Sequence, residues 1–121
     1  MAEMCNQPSP PIDLRVRHAE IGELANAINE VLNGFTVPDF DHRIGPRIDA
    51  ERLLRHVGDI HRASSEDQEV FLKVDAAQLH ILVSALNEVL NEFDVAEFET
   101  RMGCTQVHAR DLLERLVKSR V

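Results

Sequence analysis

The chain has 121 residues, a hydrophobic fraction of 44% and a formal net charge of −8. That length suits one compact domain, or two half-size units sharing a core, and the apolar fraction argues against wholesale disorder. The acidity works against general binding to nucleic acid or to anionic membranes, and no apolar run approaches the roughly 20 residues of a membrane-spanning helix.

Residues 1–11 read as a disordered tail, because Pro8, Pro10 and Pro11 block regular pairing. The opening lacks the basic start and apolar stretch of a signal peptide. With only Cys5 and Cys104 present, no disulfide framework is indicated, so a reduced, cytoplasmic chain is expected.

From Ile12 to Val16 apolar and polar residues alternate, which predicts a short strand. A helix follows, with Ile21, Leu24, Ala25, Ile28, Leu32 and Phe35 at the spacing of one buried stripe. Asn33-Gly34 is expected to end it, since both residues tolerate the left-handed conformation. A loop of about ten residues carrying Val37 and Phe40 comes next, then a helix near Ile48–Ile60. The polar segment 63–69 reads as a linker. Beyond it the order recurs. A strand is expected over Val70–Val74, and Asp75 with Gln78 has the spacing of a capping box. The second long helix carries Leu79, Leu82, Val83, Leu86, Leu90 and Phe93. Another loop then holds Val95 and Phe98, and Thr105 is the expected N-cap of a helix near Gln106–Ser119.

The recurrence extends to identity. At an offset of 58, residues 28–45 match residues 86–103 at ten of eighteen positions, where roughly one match is expected by chance. Past Cys104 the second copy carries one extra residue. We therefore expect a mostly helical α+β fold: a tandem duplication of a strand–helix–loop–helix unit, pseudo-twofold, with four main helices and a two-stranded antiparallel ribbon. One domain, 12–121, would comprise repeats 12–62 and 70–121. The expected species is a monomer with internal pseudo-symmetry.

The string Asn-Glu-Val-Leu-Asn occurs twice, placing Asn29 with Asn33, and Asn87 with Asn91, one helical turn apart. Asparagine is a mediocre helix former, so these pairs are either structural, bonding the backbone of the loop that follows, or line a polar binding site. Glu30 and Glu88 are natural partners for Arg43 and Arg101. Phe35, Phe40, Phe93 and Phe98 occupy matched positions and read as pegs that pin the loops.

From Phe40 and from Phe98 onward, a glycine-ended stretch followed by a leucine-paired helix resembles a helix-turn-helix. The strand–helix–helix order is also similar to ribbon-helix-helix repressors. Either resemblance implies DNA binding, through Arg43, Arg47, Arg52 and Arg55 with Arg101, Arg110, Arg115 and Lys118, or, where two strands fill the major groove, with Arg15, Arg17 and Lys73 as the only candidate bases on or beside the strands. Charge opposes this. Residues 18–42 hold five acids and no Lys or Arg, residues 75–100 hold six and none, and the basic segments 43–62 and 101–121 are only +2 and +3.

No catalytic signature is present: no nucleophile elbow, P-loop, HExxH pair or glycine-rich turn after a strand. Cys104 and His108, like His56 and His61, fall short of a closed metal set. No catalytic residue, metal or cofactor is expected. The first expectation is a small acidic, non-enzymatic protein that binds another protein, in the manner of an inhibitor or immunity protein. A DNA-binding regulator and a small-molecule sensor near the asparagines are the alternatives.

Overall fold

A computed structural model describes residues 11–119. The expected tail, including Cys5, lies outside the described residues except for exposed Pro11. Strand β1 (Ile12–Arg17) leads directly into α1 (His18–Asn29), which continues as a π-helical turn (Glu30–Gly34). One-turn α2 (Phe40–Arg43) and long α3 (Arg47–Ala63) complete the first half. The second half holds β2 (Glu69–Val74), α4 (Ala76–Glu92), α5 (Val95–Met102) and α6 (Gln106–Lys118).

The fold is thus mostly helical with a two-stranded antiparallel sheet, as the sequence predicts. Alternation explains the ribbon: Leu14, Val16, Leu72 and Val74 point inward and are buried, and Arg15, Phe71 and Lys73 face solvent. The register sets Leu14 opposite Leu72, the residue 58 positions away. Arg15 pairs with Glu69 across the strands at 2.5 Å.

The expected helix starts hold. Asp75 accepts from the Gln78 amide at 2.7 Å and Gln78 accepts from the Asp75 amide at 2.9 Å. Thr105 accepts from the His108 amide at 3.1 Å.

Two expectations are corrected. Among the described residues there are six α-helices, because both supposed loops contain helix. In the second half, Asp94 caps the Glu97 amide at 2.8 Å, Glu97 pairs with Arg101 one turn on, and Gly103 ends α5 at φ 74°. In the first half Pro38 and Asp39, held left-handed at φ 53°, leave room for only one turn. The second correction concerns Asn33-Gly34. This pair does end the helix, but not in the left-handed region. The chain widens into the π turn, whose last bond runs from the Phe35 amide to the Glu30 carbonyl at 3.2 Å.

The buried core draws on both halves. Phe35 and Phe93 meet edge to face at 5.3 Å between ring centres. Gly45, at φ 145°, receives Ile81 of the other half, and a Cβ there would come within 3.2 Å of the isoleucine. The glutamate–arginine pairs exchange partners between halves: Arg43 binds Glu88, and Arg101 binds Glu30 at 2.9 Å.

Candidate functional site

Helices α1 and α3 lie side by side, and on their outward faces an open groove of 890 Å³ runs between them. The wall formed by α1 and its π turn is Ala19, Gly22, Glu23, Ala25, Asn26, Asn29, Leu32 and Asn33, residues that share one helical face. Opposite stand Glu51, Leu54, Arg55, Gly58, His61 and Arg62 of α3. Met102 and Gly103, at the C-terminal end of α5, complete the lining. Small residues make the space. Gly22 lets His61 lie against α1, since a Cβ there would be 3.0 Å from the imidazole Nε2. His61 in turn stacks on His18 at 4.1 Å, and His18 Nδ1 lies 2.7 Å from the Ser64 hydroxyl. At Gly58 an added Cβ meets only its own helix's Arg62, at 3.5 Å. Gly58→Ala should therefore raise stability by about 0.5–1 kcal/mol through helix propensity alone, measurable by urea denaturation.

The asparagines fare unequally. Asn29 and Asn33 line the groove and bond each other, Asn33 Nδ2 donating to Asn29 Oδ1 at 3.0 Å. Asn87 and Asn91 are exposed on α4, away from the groove lining. Neither pair makes the expected bonds to the loop backbone. Carbonyls at the ends of the two long helices are held instead by the residues that open the following helices: Arg47 donates to the Leu32 carbonyl at 3.1 Å, and Gln106 to the Phe93 carbonyl at 3.2 Å.

Compared with protein-family models, curated proteins and solved structures, the chain matches none.

Beside the groove lies a cluster of charged groups that the sequence reading missed. Glu20 and Glu23 are one turn apart on α1 and buried, at 3% and 8% exposure. Glu20 accepts the Arg17 amide at 2.9 Å and is held by the Arg115 guanidinium of α6. Burial alone would raise its pKa, but Arg115 and the Arg17 amide more than reverse this and hold the carboxyl below its usual range. Glu23 has no such donors. Its Oε2 lies 3.1 Å from His108 Nε2 without the alignment of a hydrogen bond, and it is buried with no hydrogen-bond partner. Burial, with the adjacent Glu20 charge, pushes Glu23 upward against the pull of His108. Burial and Glu23 together push the neighbouring Cys104 thiol up to about 12, so it stays protonated and a poor nucleophile. Among the described residues, no group of three or more His, Cys, Asp or Glu is arranged to hold a metal ion.

A signal for these residues was present. At the 58-residue offset, Glu20 stands opposite Gln78 and Glu23 opposite Ile81, which is buried. A glutamate at the match of a core isoleucine marks a position where charge replaces packing.

Four of the eight basic residues expected to meet DNA are engaged within the protein, and Arg52, Arg55, Arg110 and Lys118 are exposed. Arg43, Arg101 and Arg115 are in ion pairs with Glu88, Glu30 and Glu20. Arg47 lies over the Phe40 ring at 4.7 Å while bonding Leu32. No helix of the described residues is long and apolar enough to cross a membrane.

Proposed function

We propose that this chain is a small, acidic, non-catalytic cytoplasmic protein that works by holding a segment of another protein in the α1–α3 groove. The observation that carries this reading is the groove itself, 890 Å³ walled by small and polar side chains on two long helices. Its origin, in this reading, is a tandem duplication folded about a pseudo-twofold axis near Leu14 and Leu72. Support comes from the ribbon register and from the exchanged Arg43–Glu88 and Arg101–Glu30 pairs. After duplication the halves diverged at the groove: Gly22 and Gly58 stand where the second copy has His80 and Val117. Widening of one copy by two glycines favours binding as the reason for the difference. An inhibitor or immunity role, masking a basic partner surface, suits the −8 charge. DNA reading is disfavoured by the internal pairing of Arg43, Arg101 and Arg115.

The test is paired capture from nuclease-treated extract, using the wild type and Gly58→Leu, which fills the groove from an open position. A stoichiometric protein held by the wild type and lost with the folded variant supports the reading. Equal capture by both overturns it.

A small-molecule sensor is the second reading, favoured by a volume within the range of metabolite sites. A thermal shift with one metabolite, abolished in Gly58→Leu, would replace the first reading with this one.

A further inference from the structure

The ribbon has two strands, so each strand leaves one edge without a neighbour. The His18 amide donates to the Gln68 carbonyl at 3.0 Å, one step beyond the Arg17–Glu69 pair. Bonded and non-bonded pairs alternate along an antiparallel ladder, so the bonds between strands fall at Val16–Val70, Leu14–Leu72 and Ile12–Val74. The backbone amides and carbonyls of Glu69, Phe71 and Lys73 therefore point to the open edge of β2. Their side chains share the outer face, where Phe71 is 63% exposed. Among the described residues β2 packs mainly against β1 and the helix that follows it, and no other backbone group bonds this edge.

The two edges are unlike. At the 58-residue offset, Glu69, Phe71 and Lys73 stand where the first half has Pro11, Asp13 and Arg15. Proline brings no donor, and Asp13 would oppose its own copy, so the β1 edge resists such pairing. The β2 edge is instead its own complement when run antiparallel about Phe71. Glu69 of each copy then faces Lys73 of the other, and the two Phe71 rings meet at the centre. Opposite charges and aromatic pairs directly across strands are both favourable. Lys73 is available for this, since it makes no ion pair among the described residues although Asp13 lies opposite it. Glu69 gives one carboxylate oxygen to Arg15 and keeps the other. The same register sets half-buried Val70 against Leu72 of the second copy, so the apolar inner face continues across the junction.

We propose that the open edge of β2 is an interface between two copies of this chain, paired antiparallel about Phe71 into a four-stranded sheet of order β1–β2–β2–β1. Each contact is reciprocated about the twofold axis, so association stops at two. Pro11 and Asp13 close the outer edges of the new sheet. One short strand from each copy makes a small interface, so the dimer forms at raised concentration and separates on dilution. No β2 residue lines the α1–α3 groove, and the dimer therefore carries two of them.

The experiment is sedimentation equilibrium of the full chain from about 1 µM to about 1 mM. The mass should rise with concentration from 13.7 kDa toward twice that value. Lys73→Glu sets like charges across both outer pairs and should weaken association by roughly tenfold or more. Glu69→Lys should do the same. Mixed in equal amounts, the two variants should associate as the wild type does, because every glutamate again meets a lysine. Both positions are exposed, and the Arg15–Glu69 pair lost in one variant is a surface pair, so each variant should keep the wild-type circular dichroism spectrum. A wild type that stays monomeric throughout would overturn the proposal and leave the edge to a strand of another protein. Association that Lys73→Glu leaves unchanged would place the contact elsewhere on the surface and overturn it too. So would folded variants whose mixture fails to recover the dimer.

Discussion

Phe98→Ala is expected to cost about 3–5 kcal/mol in chemical denaturation, a large share of the roughly 5–15 kcal/mol that holds a domain together. Phe98 is 0% exposed, on a helix only eight residues long. So short a helix has little stability of its own, and its place depends on what it buries. Phe98 and Met102, one turn apart, are the buried face of α5, so truncation leaves a cavity under the whole element. The matched ring, Phe40, retains 9% exposure on a single turn, so Phe40→Ala should cost less. Phe71 supplies the control. It is 63% exposed on the outer face of the ribbon, and its removal should change stability by no more than about 0.5 kcal/mol. A Phe98→Ala variant as stable as Phe71→Ala would refute the view that the ring pins α5.

The second large effect is expected from Arg115→Met. Deleting the guanidinium leaves the Glu20 carboxylate, whose side chain is 4% exposed, with only the Arg17 amide as donor and His108 Nε2 at 3.5 Å. Removing one partner of a fully buried pair costs about 3–5 kcal/mol, whereas exposed pairs contribute below about 1 kcal/mol. Arg115 is 42% exposed, so water screens part of the interaction, and a loss of about 2 kcal/mol at neutral pH is expected.

The two glutamates give this loss a pH signature with opposite signs. Glu20's folded pKa lies below its ordinary value of 4.5, so its stabilisation is complete above that value and is lost as pH falls through the folded one. The Arg115→Met deficit should therefore be full at neutral pH and shrink in acid. Glu23's folded pKa lies above 4.5, so the folded state takes up a proton that the unfolded state has released, and stability falls as pH rises through that interval. Glu23→Gln should accordingly stabilise the protein at neutral pH, with the gain vanishing below 4.5. Urea denaturation of both variants from about pH 4 to about pH 8 tests the pair. Parallel curves for wild type and Glu23→Gln would show that Glu23 does not carry its charge into the core. Gln retains the side-chain shape, so the comparison isolates the charge.

Local patterns made much of the architecture legible. Two-residue alternation specified the ribbon, three-four spacing the long helices, and Asp75, Gln78 and Thr105 their starts, because these signals act within a few residues. Helices α2 and α5 were hidden. They are short, bracketed by turn-forming residues, and held by tertiary burial of Phe40, Phe98 and Met102 rather than by propensity. Of the asparagine pairs, Asn29 and Asn33 could be chosen over Asn87 and Asn91 only once the groove was visible. Glu23 escaped notice because its importance depends on His108 and Cys104, some eighty residues away in sequence.

The pentapeptide Asn-Glu-Val-Leu-Asn separates what the sequence determined from what the tertiary structure decided. In both halves it dictates helix, an acidic residue at its second position and an apolar Val-Leu pair. Yet residues 29–33 end in a π turn and residues 87–91 remain in α-helix. The residue that follows also differs, Gly34 in one half and Glu92 in the other. A Cβ at Gly34 would fall 2.0 Å from Glu30 Oε1, so the glycine opens the space in which Glu30 reaches Arg101 of the other half. The residues determined which groups needed partners. Which partner each met was decided when the halves packed together, because an ion pair or a buried ring is satisfied by whatever lies nearest in space, irrespective of distance along the chain.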